Sequence, residues 1–267
     1  AHQLIFTTYH SLHRIQESGI QVDTIYFDEA HNSVQRNFFA PTEYFSSLDG
    51  TRCFFFTATR RTSSTIAKPG MNDVDVYGEV IHRVSAPELI ENEYIVPPKV
   101  KVQQYDIGGA KDINDDSNKL MESITESESS KILVCVKTTK QLTMLMQTEF
   151  PHTLKEMGYS YLYITAKTGA VVDGKKVGRE EFFNVLNSWG KDPSKKFVVL
   201  HRSILSEGIS VNGLETVIFL RNMDIIEMTQ SIGRVLRTAP NKQFGLCVVP
   251  VYSKVGIATE RRLQTVI

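Results

Sequence analysis

Three short stretches of the chain carry side chains whose types and spacing suit chemistry on a phosphate-bearing ligand. Asp28 and Glu29 directly follow an apolar run, in IYFDEAHNS. A carboxylate at the end of a buried strand can hold a magnesium ion through water, because magnesium keeps much of its hydration shell. Its neighbour can orient or deprotonate an attacking water. An acidic cap on a following helix explains the pair equally well. Thr57 and Thr59, in FFFTATR, place hydroxyls after a second apolar run, where a helix N-cap is the simpler reading. Gln230, Gly233, Arg234 and Arg237 lie in QSIGRVLR. Arginines three apart share one face of a helix. Two guanidiniums there can grip a phosphate with paired hydrogen bonds; a solvated basic face is the alternative. Gly233, at a cost of about 1 kcal/mol inside a helix, argues for a close approach to that face.

The elements that must position these residues follow an α/β rhythm. Short apolar runs alternate with helical patterns, which predicts a mainly parallel sheet whose carboxyl edge collects the ligands. Strands are expected at 4–8, 22–27 and 52–56, then at 132–136, 161–165, 197–200, 216–220 and 245–251. Helices are expected at 9–17, after His31 with Pro41 as an interruption, at 138–157, at 178–189 and at 224–237. Phe182, Val185, Leu186 and Trp189 give the 178–189 helix a core-facing stripe. The polar segment 108–130 reads as a solvated loop with a short surface helix near 119–124. Paired prolines at 97–98 mark an extended joint, so the domains divide as 1–96 and 97–267.

Taken together, these stretches resemble the superfamily 2 helicases of the DEAD/DEAH type. Asp28-Glu29-Ala30-His31 is similar to motif II, Thr57-Ala58-Thr59 to motif III, and Gln230 to Arg237 to motif VI. Phe6 to Leu12 (FTTYHSL) resembles the upstream motif that touches the nucleic-acid backbone, and Ser206 to Val211 resembles motif V. Residues 77–98 resemble the joint between lobes in the branch with type III restriction subunits and phage repair helicases. Order and spacing agree from residue 4 to about 250.

The resemblance implies two RecA-like lobes with mainly parallel sheets, the first incomplete at its N-terminus, in an ATP-dependent helicase or translocase. ATP and magnesium are the implied cofactors. Asp28 would hold the metal through water and Glu29 would position the hydrolytic water. His31, Thr57 and Thr59 would couple the nucleotide site to the nucleic-acid groove. Arg234 and Arg237 would act as arginine fingers, with Gln230 nearby and Gly208, Ser210 and Gly233 beside the nucleotide. Thr7, Thr8, Lys137, Thr138 and Thr139 are candidates for contacts to a strand's phosphates, which give affinity without sequence preference. A solvated-loop reading of those five stands beside it. The implied partner is nucleic acid, DNA rather than RNA, with a nuclease or methyltransferase module as a possible companion.

Two departures qualify the match. Such helicases need G-x-x-x-x-G-K-[ST] before motif II, and the residues before Asp28 contain none. The near-match Gly169 to Lys176 ends in lysine where the magnesium-binding hydroxyl belongs, and Asp173-Gly174 reads as turn chemistry. Ser210 stands where motif V commonly has aspartate. The missing loop makes this chain a fragment expected to be inactive alone. The competing function is an inert nucleic-acid-binding or partner-docking module.

Bulk composition sets the frame. Thirty basic and thirty acidic residues balance, so net charge selects no partner. The three cysteines, Cys53, Cys135 and Cys247, sit singly in apolar runs and read as buried thiols of a reducing compartment. No apolar run reaches membrane-spanning length, and an intracellular, cytoplasmic protein is expected, or a nuclear one in a eukaryote.

Overall fold

Unbroken apolar strand sequences such as Lys131-Ile-Leu-Val-Cys135 suit a parallel sheet covered on both faces, and the computed structural model places them in one. It describes residues 3–65, 67–104, 113–136, 138–202, 211–220 and 225–251. The chain forms two compact units that part at Arg83 and Val84, upstream of the proline joint. Residues just before the prolines belong with the second unit, because Ile95 packs against its core and the Val96 N–H donates to the Leu236 carbonyl at 2.8 Å.

The first unit contains β1 (Thr24–Phe27) and β2 (Arg52–Phe55), a parallel pair. Helices α1 (Leu12–Glu17), α2 (Arg36–Ser46) and α3 (Val74–Tyr77) accompany them. Leu12, Phe27, Phe45, Met71 and Val76 form its core. Pro41 lies within α2 rather than ending it. The expected strand at 4–8 is a correction: these residues join no ladder, and Phe6 is 93% exposed. A strand exists only by pairing, and neither strand of this sheet pairs with them.

The second unit opens with α4 (Ala86–Glu91) and builds an eight-stranded sheet. Its strands are β3 (Pro98–Gln104), β4 (Lys131–Cys135), β5 (Ser160–Thr165), β6 (Gly169–Val172), β7 (Lys175–Val177), β8 (Phe197–His201), β9 (Thr216–Phe219) and β10 (Gly245–Val251). The order is β3-β10-β9-β4-β8-β5-β6-β7, parallel through β5 and antiparallel at the β5–β6–β7 end. Helices α5 (Ile113–Ser127), α6 (Thr139–Leu145) and α7 (Phe150–Glu156) cover one face. Helices α8 (Arg179–Lys191) and α9 (Ile225–Val235) cover the other. Successive β4 residues alternate between the two cores, with Ile132 and Val134 on one and Leu133 and Cys135 on the other, as the two-residue strand period requires.

Two expectations change here. The polar segment before β4 is a core-facing helix, since Leu120 and Ile124 are fully buried and Ile113 packs beside them. Small Ser117 and Ser123 on its buried side hide the apolar stripe from a sequence reading. The single helix expected over 138–157 is two helices, with Pro151 in the first turn of α7, where its missing N–H costs nothing.

Candidate nucleotide and strand-contact site

In the first unit the acids stand on a turn just past β1. Glu29 adopts a left-handed conformation, φ 47° and ψ 48°, which costs a non-glycine residue about 1–2 kcal/mol. The peptide joining Asp28 to Glu29 is held at both ends. The Tyr9 hydroxyl donates to the Asp28 carbonyl at 2.7 Å, and the Glu29 N–H donates to Asp28 Oδ1 at 3.0 Å. Asp28 is exposed and Glu29 half-buried. The Glu29 side chain makes no capping hydrogen bond to the short 3-10 turn that follows. Helix capping therefore does not account for the pair.

Buried His31 links the two strand ends. Its Nδ1 lies 3.0 Å from Thr57 Oγ1 and 3.4 Å from Glu29 Oε2. A carboxylate only accepts, so the Nδ1 proton faces Glu29 and Thr57, and Thr57 donates onward to the Thr59 carbonyl at 3.1 Å. The Thr59 N–H returns to Thr57 Oγ1 at 3.2 Å. Main-chain bonds reinforce the link, from Phe56 N–H to the Phe27 carbonyl and from Ala30 N–H to the Phe56 carbonyl. Thr57 and Thr59 cap no helix, because among the described residues none follows β2 before α3. Hydrogen bonds thus run from His31 through Thr57 to Thr59, with Glu29 at ion-pair distance from His31, while Thr7 and Thr8 are exposed beside Tyr9.

In the second unit α9 carries Gln230, Gly233 and Arg234. Arg234 is buried, whereas Arg237 lies exposed beyond the helix end. The two arginines therefore do not share a helix face. Main-chain pairing of Ile95 with Arg237 pulls the backbone out of helical geometry. A Cβ at Gly233 would meet nothing within 4 Å, so the approach its glycine suggested comes from no described residue of the chain. Thr138 caps α6 by accepting the Gln141 N–H at 3.0 Å, and Thr139 begins that helix. Lys137, Gly208 and Ser210 lie outside the described residues.

A buried polar contact that sequence reasoning missed joins three elements here. Cys135 Sγ, at the end of β4, lies 3.4 Å from His201 Nε2, at the end of β8, and donates to Ser231 Oγ on α9 at 3.7 Å. A histidine closing the apolar run FVVLH was its signal. Below it, burial pushes the Cys247 thiol up to about 12. The near-match at Gly169 is a β-hairpin, with Asp173 and Gly174 both at positive φ, 47° and 83°. That is a two-residue hairpin turn, not a loop opening a helix.

Residues 115–239 match the family model described as the helicase conserved C-terminal domain. That segment is similar to helicase C-terminal domains. The fold of the chain is similar to that of three solved structures. The ATP-dependent type ISP restriction-modification enzyme LlaBIII, bound to DNA, is 18% identical with a TM-score of 0.65 over 96% of this chain. A fragment of a putative HsdR subunit of a type I restriction enzyme from Vibrio vulnificus YJ016 is 15% identical, with a TM-score of 0.67 over 95%. S. cerevisiae Dbp5 bound to RNA and ADP BeF3 is 15% identical, with a TM-score of 0.57 over 96%. The chain spans 21%, 48% and 61% of those three chains respectively. At these identities the likeness establishes the fold alone, RecA-like lobes of α/β class. No curated protein matches the chain.

Proposed function

We propose that the chain is part of an ATP-dependent helicase or translocase that couples ATP hydrolysis to movement along DNA. The observation that carries this reading is the buried His31 imidazole, which bridges Glu29 to Thr57. A histidine so placed transmits a change at the acids to the end of the neighbouring strand. An acidic cap or a solvated surface turn has no use for it.

Among the described residues no three His, Cys, Asp or Glu side chains gather to hold a metal. A metal here would rest on one carboxylate, water and phosphate oxygens, which is how magnesium binds and not how zinc does. Exposed Asp28 would hold it, and the ion would neutralise phosphate charge as the bond breaks. Glu29, its backbone fixed on either side, orients the attacking water and takes its proton. Arg234 and Arg237 offset phosphate charge, and Thr7 and Thr8 meet the strand's phosphates. The DNA preference draws on the restriction-modification neighbour bound to DNA, and the same likeness supports an accompanying nuclease or methyltransferase module.

The test is ATP turnover by the full-length protein with single-stranded DNA, with RNA and with neither. DNA-stimulated turnover that Glu29→Gln reduces at least a hundredfold is expected. Turnover retained by Glu29→Gln overturns the proposal, and stimulation by RNA alone overturns the choice of DNA.

A further inference from the structure

We propose that Tyr9 is a positioning residue that couples strand contact at Thr7 and Thr8 to the carboxylates at Asp28 and Glu29. The inference rests on the ATPase reading above and adds a route by which the strand is felt at the nucleotide site.

The geometry is specific to one peptide unit. The Asp28–Glu29 peptide presents its carbonyl to the Tyr9 hydroxyl at 2.7 Å and its N–H to the Asp28 carboxylate at 3.0 Å. Rotation of that plane changes ψ of Asp28 and φ of Glu29 in opposite senses and swings the Glu29 N–H away from Asp28 Oδ1, so it breaks the bond that orients the Asp28 carboxylate. Glu29 already sits at a φ of 47°, a sparsely populated conformation that persists only where surroundings impose it. The Tyr9 hydroxyl reaches this plane from a distant part of the sequence.

Tyr9 is also joined to the strand-contact segment. Thr8 precedes the 3-10 turn Tyr9–Ser11, and its carbonyl accepts the Ser11 N–H at 2.9 Å. The Thr7 hydroxyl donates to the same carbonyl at 3.3 Å. Thr7, Thr8 and Tyr9 are thus contiguous in one hydrogen-bonded turn. The Tyr9 ring stacks on Phe27 and leans on Phe38, with centroids 6.2 and 5.8 Å away. These contacts hold the ring in place when the hydroxyl is removed, which makes phenylalanine a clean test.

Tyr9→Phe in the full-length protein is compared with wild type by ATP turnover with and without oligo(dT), by fluorescence anisotropy of labelled oligo(dT), and by thermal melting. The ratio of stimulated to unstimulated turnover is expected to fall about three- to tenfold, the value of one hydrogen bond, with oligo(dT) affinity within about twofold. Tyr26→Phe removes a hydroxyl from an exposed ring of the same unit and is expected to keep the wild-type ratio. An unchanged ratio in Tyr9→Phe, or an equal loss in both variants, overturns the coupling while leaving the ATPase reading intact. A wild type without stimulated turnover overturns both.

Discussion

The main chain of Ile95 pairs antiparallel with that of Arg237, and the Val96 N–H donates to the Leu236 carbonyl at 2.8 Å. This short ladder stops α9 at Val235 and hands its last residues to the segment that opens the second unit. Substituting proline at Val96 removes the donor and leaves the Leu236 carbonyl unmatched. A loss of about 1–3 kcal/mol in urea unfolding is expected. Val96→Ala keeps the N–H and is expected to lose about 1–2 kcal/mol for its two buried methyl groups.

The same ladder makes the two arginines unequal. Arg234 is 6% exposed and its aliphatic stem is part of the packing, so Arg234→Ala removes both charge and contact. Arg237 is exposed and contributes its main chain to the pairing, which alanine preserves. Arg234→Ala is expected to lower the melting temperature by several degrees, at about 2 kcal/mol. Arg237→Ala is expected to leave melting unchanged while reducing ATP turnover of the full-length protein about tenfold or more. Melting curves and steady-state rates on both variants check the split.

Lys242 gives the second unit a pH signature. Its Nζ donates to the main-chain carbonyls of Leu214 at 2.8 Å and Arg237 at 2.7 Å. Burial lowers its pKa from 10.5 to about 8, partly countered by Glu215. Between those values the unfolded chain still holds a proton that the folded chain has released, so the Lys242 contribution to stability rises with pH across that window. Below pH 8 both states are charged and the full burial penalty is present. The neutral amine keeps two N–H groups, enough for both carbonyls. Other ionisable groups also contribute to the pH dependence, so the readout is a difference. The urea midpoint of wild type minus that of Lys242→Met is expected to increase from pH 7.5 to pH 10.

Periodicity made most of the second unit legible. Alternation of apolar runs located the parallel strands from β4 onward, and the stripe of Phe182, Leu186 and Trp189 located α8. It failed where small polar residues fill buried positions, as Ser117 and Ser123 do in α5, because a serine against the core looks like a serine in water. It also failed at Leu4 to Thr8, where strand-like composition finds no pairing partner among the described residues. The acids, His31 and the threonines were legible as a set through their order. Their hydrogen bonds were not, since His31 reaches Thr57 across residues that only the parallel pairing of β1 and β2 brings together. The roles of Tyr9, His201 and Arg237 depend on contacts between distant segments, and no local pattern encodes those.

The hairpin at Gly169 to Val177 separates turn chemistry from phosphate binding. Gly174 has a φ of 83°, and a Cβ there would lie 3.1 Å from the Tyr161 hydroxyl. Gly174→Ala is therefore expected to destabilise the second unit by about 1–2 kcal/mol through backbone strain. Asp173 adds a second tie, since its Oδ1 accepts the Tyr161 N–H at 2.8 Å. Lys175 is exposed on β7, and Lys175→Ala is expected to change stability by less than about 0.5 kcal/mol. A phosphate loop would behave in the opposite way, with its lysine reaching the terminal phosphates and its loss abolishing nucleotide binding. Titration of a fluorescent ATP analogue into the full-length Lys175→Ala protein, with affinity expected to match wild type, distinguishes the two. A tenfold or larger loss would restore this segment as a nucleotide site.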